Sequence, residues 1–154
     1  GDVEDNEQYT YGEYIAPQLE PVINMLKNEG HNTNQACITI GDPDSVDLEH
    51  PPCLRLIDCR ISDGKLHFFV YFRSWDLWAG LPENLGGLQL LKEYMASQIG
   101  VEDGEIIASS KGMHLYDYQW PIALARLMGN MPEDSVISQE EAEAGEAWME
   151  SNNV

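Results

Sequence analysis

Residues 53–72, CLRLIDCRISDGKLHFFVYF, decide the architecture of this chain. Two runs rich in aliphatic and aromatic residues, CLRLIDCRI and KLHFFVYFR, flank Ser62-Asp63-Gly64. Asp-Gly suits a tight hairpin turn because both residues tolerate positive φ. The spacing therefore predicts two paired strands. Directly ahead of them stand Pro51 and Pro52, stacked in front of Cys53. Such a rigid entry suits either a small buried residue at a strand start or a thiol whose direction of attack is fixed.

Working outward, PQLEPVINMLKNEG places Leu19, Val22, Ile23 and Leu26 at helical spacing and stops at Gly30. Pro21 is tolerable only in a first turn, so this helix is predicted to start near Leu19 or Glu20. QACITIG reads as a short strand, followed by the loop DPDSVDLEH. A helix is predicted from Pro82, with Leu88, Leu91, Met95 and Ile99 on one face and Gly100 ending it. GEIIASSKGMHLY adds a strand and a polar exit. Residues 1–8 read as a disordered acidic N-terminus. Residues 131–154 read as an acidic tail, with Ser138 and Glu141 forming a capping box for a helix to about Glu150. No repeat or linker divides residues 9–130. The expected fold is α+β, a mixed sheet covered on one face by a long helix. LHFFVYF and ACITI are apolar enough for strands covered on both faces, so a second copy is expected on the open face, giving a homodimer.

The chain has 154 residues and a net charge of −19, which repels nucleic-acid polymers and anionic membrane surfaces. No apolar run approaches the roughly 18 residues of a membrane span, and no secretory leader is visible. Cys37, Cys53 and Cys59 form no disulfide framework, which points to a reducing cytoplasm. The only arginines are Arg55, Arg60, Arg73 and Arg126, so any phosphate ligand must be small and held by a local cationic pocket.

Arg73-Ser74, with Asp76 two residues on, ends the second strand. A guanidinium fork beside a hydroxyl suits a phosphate. Asn84, in a helix's first turn, offers the donor and acceptor that reading a pyrimidine edge needs. Taken singly, a strand-end salt bridge, a helix-start amide and a hydrogen-bonded His114/Tyr116 pair explain these residues equally well. His50, Cys53, Cys59 and His67 could be imagined as a zinc set, since strand alternation puts Cys59 on the face of Cys53. They lack a Cys-x-x-Cys pair, and no metal is expected. Cys37 reads as core.

In combination the motifs say more. Pro52-Cys53, Arg73-Ser74-x-Asp76, Gly80-Leu81-Pro82-x-Asn84 and His114-x-Tyr116, with YTYGEYI upstream, occur in an order and spacing that resemble thymidylate synthase. The likeness runs from about Tyr9 to Trp120 and is closest to the shorter, archaeal-type branch. It implies a thymidylate synthase-like fold, with the sheet face used for dimerisation. It also implies reductive methylation of dUMP to dTMP with 5,10-methylenetetrahydrofolate. Cys53 would add to uracil C6 and make C5 nucleophilic. An ordinary thiol is only a few per cent thiolate at pH 7, so a nearby arginine is expected to favour the reactive form. Pro51 and Pro52 would hold the thiol at one angle. By the same resemblance Arg73 and Ser74 would hold the 5′-phosphate, and Asn84 would read the O4/N3 edge. His114 and Tyr116 would bind the ribose 3′-hydroxyl, and Asp76 the folate.

The match also departs from the family. Asn34-Gln35 stands where an arginine pair is usually donated across the dimer to the phosphate. Glu83 replaces a usual Phe, and Gly112 a usual Asp. The family's upstream glutamate and first phosphate arginine would precede Gly1, and the acidic helix replaces its closing C-terminal segment. On a regular strand Arg55 projects from the face of Cys53, so it is expected to replace the missing pair in part. Neutralising Asp58 or Glu49 is the equal alternative. Two further readings stay open: a pyrimidine-nucleotide hydroxymethylase, where water replaces hydride, and a non-catalytic nucleotide-binding homologue. Asn84 leans against a cytosine nucleotide, because aspartate would pair better with its amine.

Overall fold

The structure, a computed structural model, describes residues 10–29 and 33–128. The first helix, α1, spans Tyr11–Glu29 and so begins well before the predicted start. A capping box sets that start: the Thr10 N–H donates to Glu13 Oε2 at 3.0 Å, and the Glu13 N–H to Thr10 Oγ1 at 3.4 Å. Pro17 and Pro21 lie inside the helix, both on its exposed side. Each proline lacks the N–H that would serve the carbonyl four residues earlier, Glu13 and Pro17. Those carbonyls share the solvent side, where water can serve them. The opposite side buries Val22, Ile23 and Leu26.

The strands are β1 (Cys37–Thr39), β2 (Leu54–Ser62), β3 (Lys65–Phe72), β4 (Trp75–Asp76), β5 (Glu102–Ser110) and β6 (Met113–His114). Helix α2 (Gly80–Ile99) lies between β4 and β5, and α3 (Trp120–Met128) ends the described chain. The main sheet has the order β1-β2-β3-β5, and β4 pairs with β6 in a small parallel sheet. The predicted hairpin is present: Asp63 (φ 52°) and Gly64 (φ 75°) turn β2 into β3, with Ser62 opposite Lys65. β3 and β5 run parallel, which requires a crossover, and α2 supplies it. Pro82 falls in the first turn of α2, where its missing N–H has no intrahelical partner to lose. Gly100 closes the helix as expected, donating its N–H to the Ala96 carbonyl at 2.8 Å.

One sheet face buries Ile57, Cys59 and Ile61 of β2 and Leu66, Phe68, Val70 and Phe72 of β3. Both α1 and α2 pack on it, through Val22, Ile23 and Leu26 and through Leu88, Met95 and Ala96, so the cover is two helices rather than one. On the other face Asp58, Phe69 and Ile107 align across β2, β3 and β5. There Phe69 is 39% and Ile107 46% exposed, so among the described residues the strands are covered on one face only.

The β2–β3 register shifts between Leu54 and Leu56. Alternation assigns faces only along an unbroken strand, so it no longer places Cys53, Arg55 and Cys59 together. Cys59 is core, whereas Cys53 precedes the first residue of β2. The predicted N-terminal segment 1–8 and tail 131–154 lie outside the described residues. Among the described residues no helix is long and apolar enough to cross a membrane.

Candidate active site

Cys53 is held from both sides. Its carbonyl accepts the Arg73 N–H at 2.8 Å, and the N–H of Leu54, the next residue, donates to the Tyr11 hydroxyl at 3.2 Å. Ahead of it, the Arg73 guanidinium grips the two proline carbonyls. Nε donates to Pro51 O at 3.1 Å and Pro52 O at 3.2 Å, and Nη2 to Pro51 O at 2.6 Å. Prolines donate nothing from the backbone, but their carbonyls remain strong acceptors. The side chain of Arg73 therefore fixes the approach to the thiol, while its Nη1 edge takes no part in these bonds. Cys53 is half-buried. Burial, then the Asp58 charge, pushes the Cys37 and Cys59 thiols up, which makes both poorer nucleophiles at neutral pH.

The small β4–β6 sheet gathers motifs that are far apart in sequence. Asp76 pairs with His114, the Trp75 N–H donates to Gly112 O at 2.9 Å, and the Leu77 N–H to His114 O at 2.9 Å. Ser74 Oγ and His114 Nδ1 are 3.0 Å apart, sharing a hydrogen bond whose direction follows the imidazole tautomer. The His114 ring meets Tyr116 edge-on at 4.9 Å, and Tyr116 stacks on Tyr118 at 5.5 Å. Burial pushes the pKa of the Tyr116 phenol up, helped by Asp76 and Cys53 and opposed by Arg73, so each of these groups lies within electrostatic reach of Tyr116.

Asp76 is anchored by backbone. Its carboxylate accepts N–H from Trp78 (3.0 Å), Ala79 (3.2 Å) and Gly80 (3.1 Å), with the Gln119 amide at 3.5 Å. Asn84 accepts the Trp75 indole N–H at 3.0 Å. It also lines a cleft of about 450 Å³ between α1 and α2, with Tyr11, Ile15, Leu54, Glu83 and Leu88. Arg55 reaches the Gly41 turn: its Nη1 stands 3.6 Å from where a Cβ on Gly41 would lie. The structure thus brings Cys53, Arg73, Ser74, Asp76, His114 and Tyr116 into one region, with Asn84 on the adjoining cleft, and sets Arg55 against the Gly41 turn.

The family model described as thymidylate synthase matches residues 6–142. The chain belongs to the thymidylate synthase family. A Methanosarcina acetivorans protein provisionally named thymidylate synthase is 36% identical over 119 residues, which cover 73% of this chain and 55% of that protein. A Listeria monocytogenes thymidylate synthase is 33% identical over 101 residues, 65% of this chain and 32% of that protein. The chain spans about half the length of the archaeal relatives it matches.

Within this thymidylate synthase-family chain, some positions around the site were not singled out by sequence reasoning. Tyr11 lies inside YTYGEYI, and its hydroxyl contact to Leu54 joins residues 43 apart. Trp75 occupies the open position of Arg-Ser-x-Asp, and Gln119 follows the His-x-Tyr element. Each was visible as a polar or aromatic residue next to a motif. Only folding shows which acceptor each one meets.

Proposed function

We propose that this chain carries the nucleophilic and nucleotide-binding part of a thymidylate synthase that converts dUMP to dTMP. The observation that supports it most is the fixation of Cys53, gripped through Pro51 and Pro52 by Arg73 and through Leu54 by Tyr11. In this reading the Cys53 thiolate forms a bond to uracil C6, and the C5=C6 electron pair moves toward C5 and O4. Asn84 donates to O4, where negative charge develops, and accepts N3–H. Methylenetetrahydrofolate, as co-substrate, supplies the one-carbon unit to C5 and the hydride, while C5 loses its proton to solvent and the C6–S bond breaks to release dTMP and the Cys53 thiolate. Arg73, through its remaining Nη1 edge, and Ser74 hold the 5′-phosphate, and Arg55 adds a second cation where Asn34-Gln35 supplies none. His114 and Tyr116 meet the ribose 3′-hydroxyl. Asp76, already fixed by three backbone N–H groups, accepts from the folate without having to reorganise.

A second copy covers the open sheet face at Phe69 and Ile107, and three free cysteines suit a reducing cytoplasm. Incubating the whole protein with dUMP and methylenetetrahydrofolate and identifying the nucleotide by mass tests the reaction. dTMP supports it, whereas a 5-hydroxymethyl product assigns the related hydroxymethylase. Bound but unchanged dUMP assigns a non-catalytic homologue, and no binding rejects the reading. Sedimentation showing only monomer at micromolar concentration rejects the dimer.

A further inference from the structure

The structure assigns Trp75 a role that rests on the nucleotide reading above. Its indole locks the Asn84 amide in the orientation that selects uracil over cytosine. Indole N–H is a donor only, so the Asn84 atom 3.0 Å from it must be the amide oxygen. That orientation follows from chemistry, without any choice of how the amide is drawn. A reversed amide would set NH2 against N–H and lose the bond.

Trp75 has no freedom to yield. It is 5% exposed and stacks on Phe72 with ring centroids 4.2 Å apart and planes 6° from parallel. Its backbone N–H is bound to Gly112 O. Phe72 in turn pairs with Leu54, the residue after Cys53, so the lock and the nucleophile share one anchor.

Asn84 lies on the cleft wall with Tyr11 and Leu54. Its amide nitrogen keeps its donors, and its oxygen keeps one lone pair beyond the one facing Trp75. Uracil presents an O4 acceptor beside an N3–H donor, which matches this pair. Cytosine presents an N4 amine beside an unprotonated N3, which needs the reversed amide. The lock therefore penalises the wrong base at a residue that does not touch the ligand. Trp75 is a positioning residue.

The experiment compares dUMP and dCMP affinities of the whole protein and its W75F variant by calorimetry. W75F keeps the ring that stacks on Phe72 and deletes the N–H. The dUMP-over-dCMP preference should fall by about three- to tenfold, the range for one lost hydrogen bond. A role in folding alone would lower both affinities and leave the ratio unchanged, and that result overturns the proposal. A second readout needs no ligand or folded W75F. The Trp75 indole proton should be protected from solvent exchange, and its resonance should move in N84A. A freely exchanging indole proton overturns the lock. If the unmodified protein binds neither nucleotide, the functional reading and the base preference both fall. The indole signal then decides separately whether the lock exists.

Discussion

The two ends of α2 are fixed by opposite means. Before its start, Asp76 is held by the backbone N–H groups of Trp78, Ala79 and Gly80, and in its first turn Asn84 is held by an indole. In its second half, Lys92 is fully buried, and its ammonium donates to Asp103 Oδ1 at 2.6 Å and to the Gly104 carbonyl. Gln89 completes that cluster, donating to Asp103 Oδ2 at 2.8 Å. At Gly104 any Cβ would lie 2.5 Å from the Leu66 carbonyl oxygen, so the strand comes too close for a side chain. Charges at this second end are answered by the protein's own charges. At the first end the anchors are neutral, and the proposed function has Asp76 and Asn84 meet the ligand there. Charge balance within the protein marks the structural end, and neutral anchoring marks the end to which the proposed function assigns ligand contact.

The largest effect should fall on the proposed nucleophile, which the start of α2 is read as serving. Cys53→Ala should lower turnover about a thousandfold or more, as removal of a covalent nucleophile does. Its melting temperature should stay close to that of the unmodified protein. Competitive alkylation should label Cys53 ahead of Cys37 and Cys59, with dUMP protecting it. Equal labelling of Cys37 would remove Cys53 from the role.

Asp103→Ala should act in the opposite way. It strands the Lys92 ammonium, which has no exposed surface, with one carbonyl. The loss of unfolding free energy should be about 3 kcal/mol. Turnover per folded molecule should hardly change, and a comparable loss of turnover would break the division between the ends. Denaturant titration and active-site counting on the same samples separate the two quantities.

Arg73→Lys keeps the charge but loses the planar fork that spans Pro51 and Pro52, and should lower kcat/KM by about thirtyfold. Arg55→Ala should weaken dUMP binding about tenfold if Arg55 serves the phosphate. Unchanged dUMP affinity would leave Arg55 as a partner of the Gly41 turn.

The smallest effect is on acid stability. Burial, the largest single influence, pushes the Asp76 carboxyl up, but the N–H groups of Trp78, Gly80 and Ala79 and the Gln119 amide together bring it below its ordinary value. The Lys92 ammonium, with Gln89, brings Asp103 down against burial. A carboxylate lowered on folding contributes stability that is fully present above the unfolded value of about 3.9 and is lost as pH falls through the folded value. Asp76→Asn should therefore flatten the fall in stability below about pH 4, leaving the Asp103 share in place. An unchanged acid slope would mean that the capping bonds to Asp76 carry little free energy.

What was legible in the sequence was local. Asp63-Gly64 announced the hairpin because positive φ is a property of the turn residues themselves, and the apolar spacing of α2 together with Gly100 announced that helix and its end. The order of short motifs was enough to recognise the family. Even the start of α1 was readable in Thr10-x-x-Glu13, although Pro21 pointed to a later one. The tertiary structure alone decided the rest. Only the closed fold brings Arg73 onto carbonyls 21 and 22 residues away, Ser74 against His114 40 residues away, and Tyr11 under the peptide that follows Cys53. The register shift at Leu54/Leu56 withdrew the alternation argument from Arg55. A residue type states how many donors and acceptors it has. Which of them meet depends on chain closure over tens of residues, and that is not written in any local pattern.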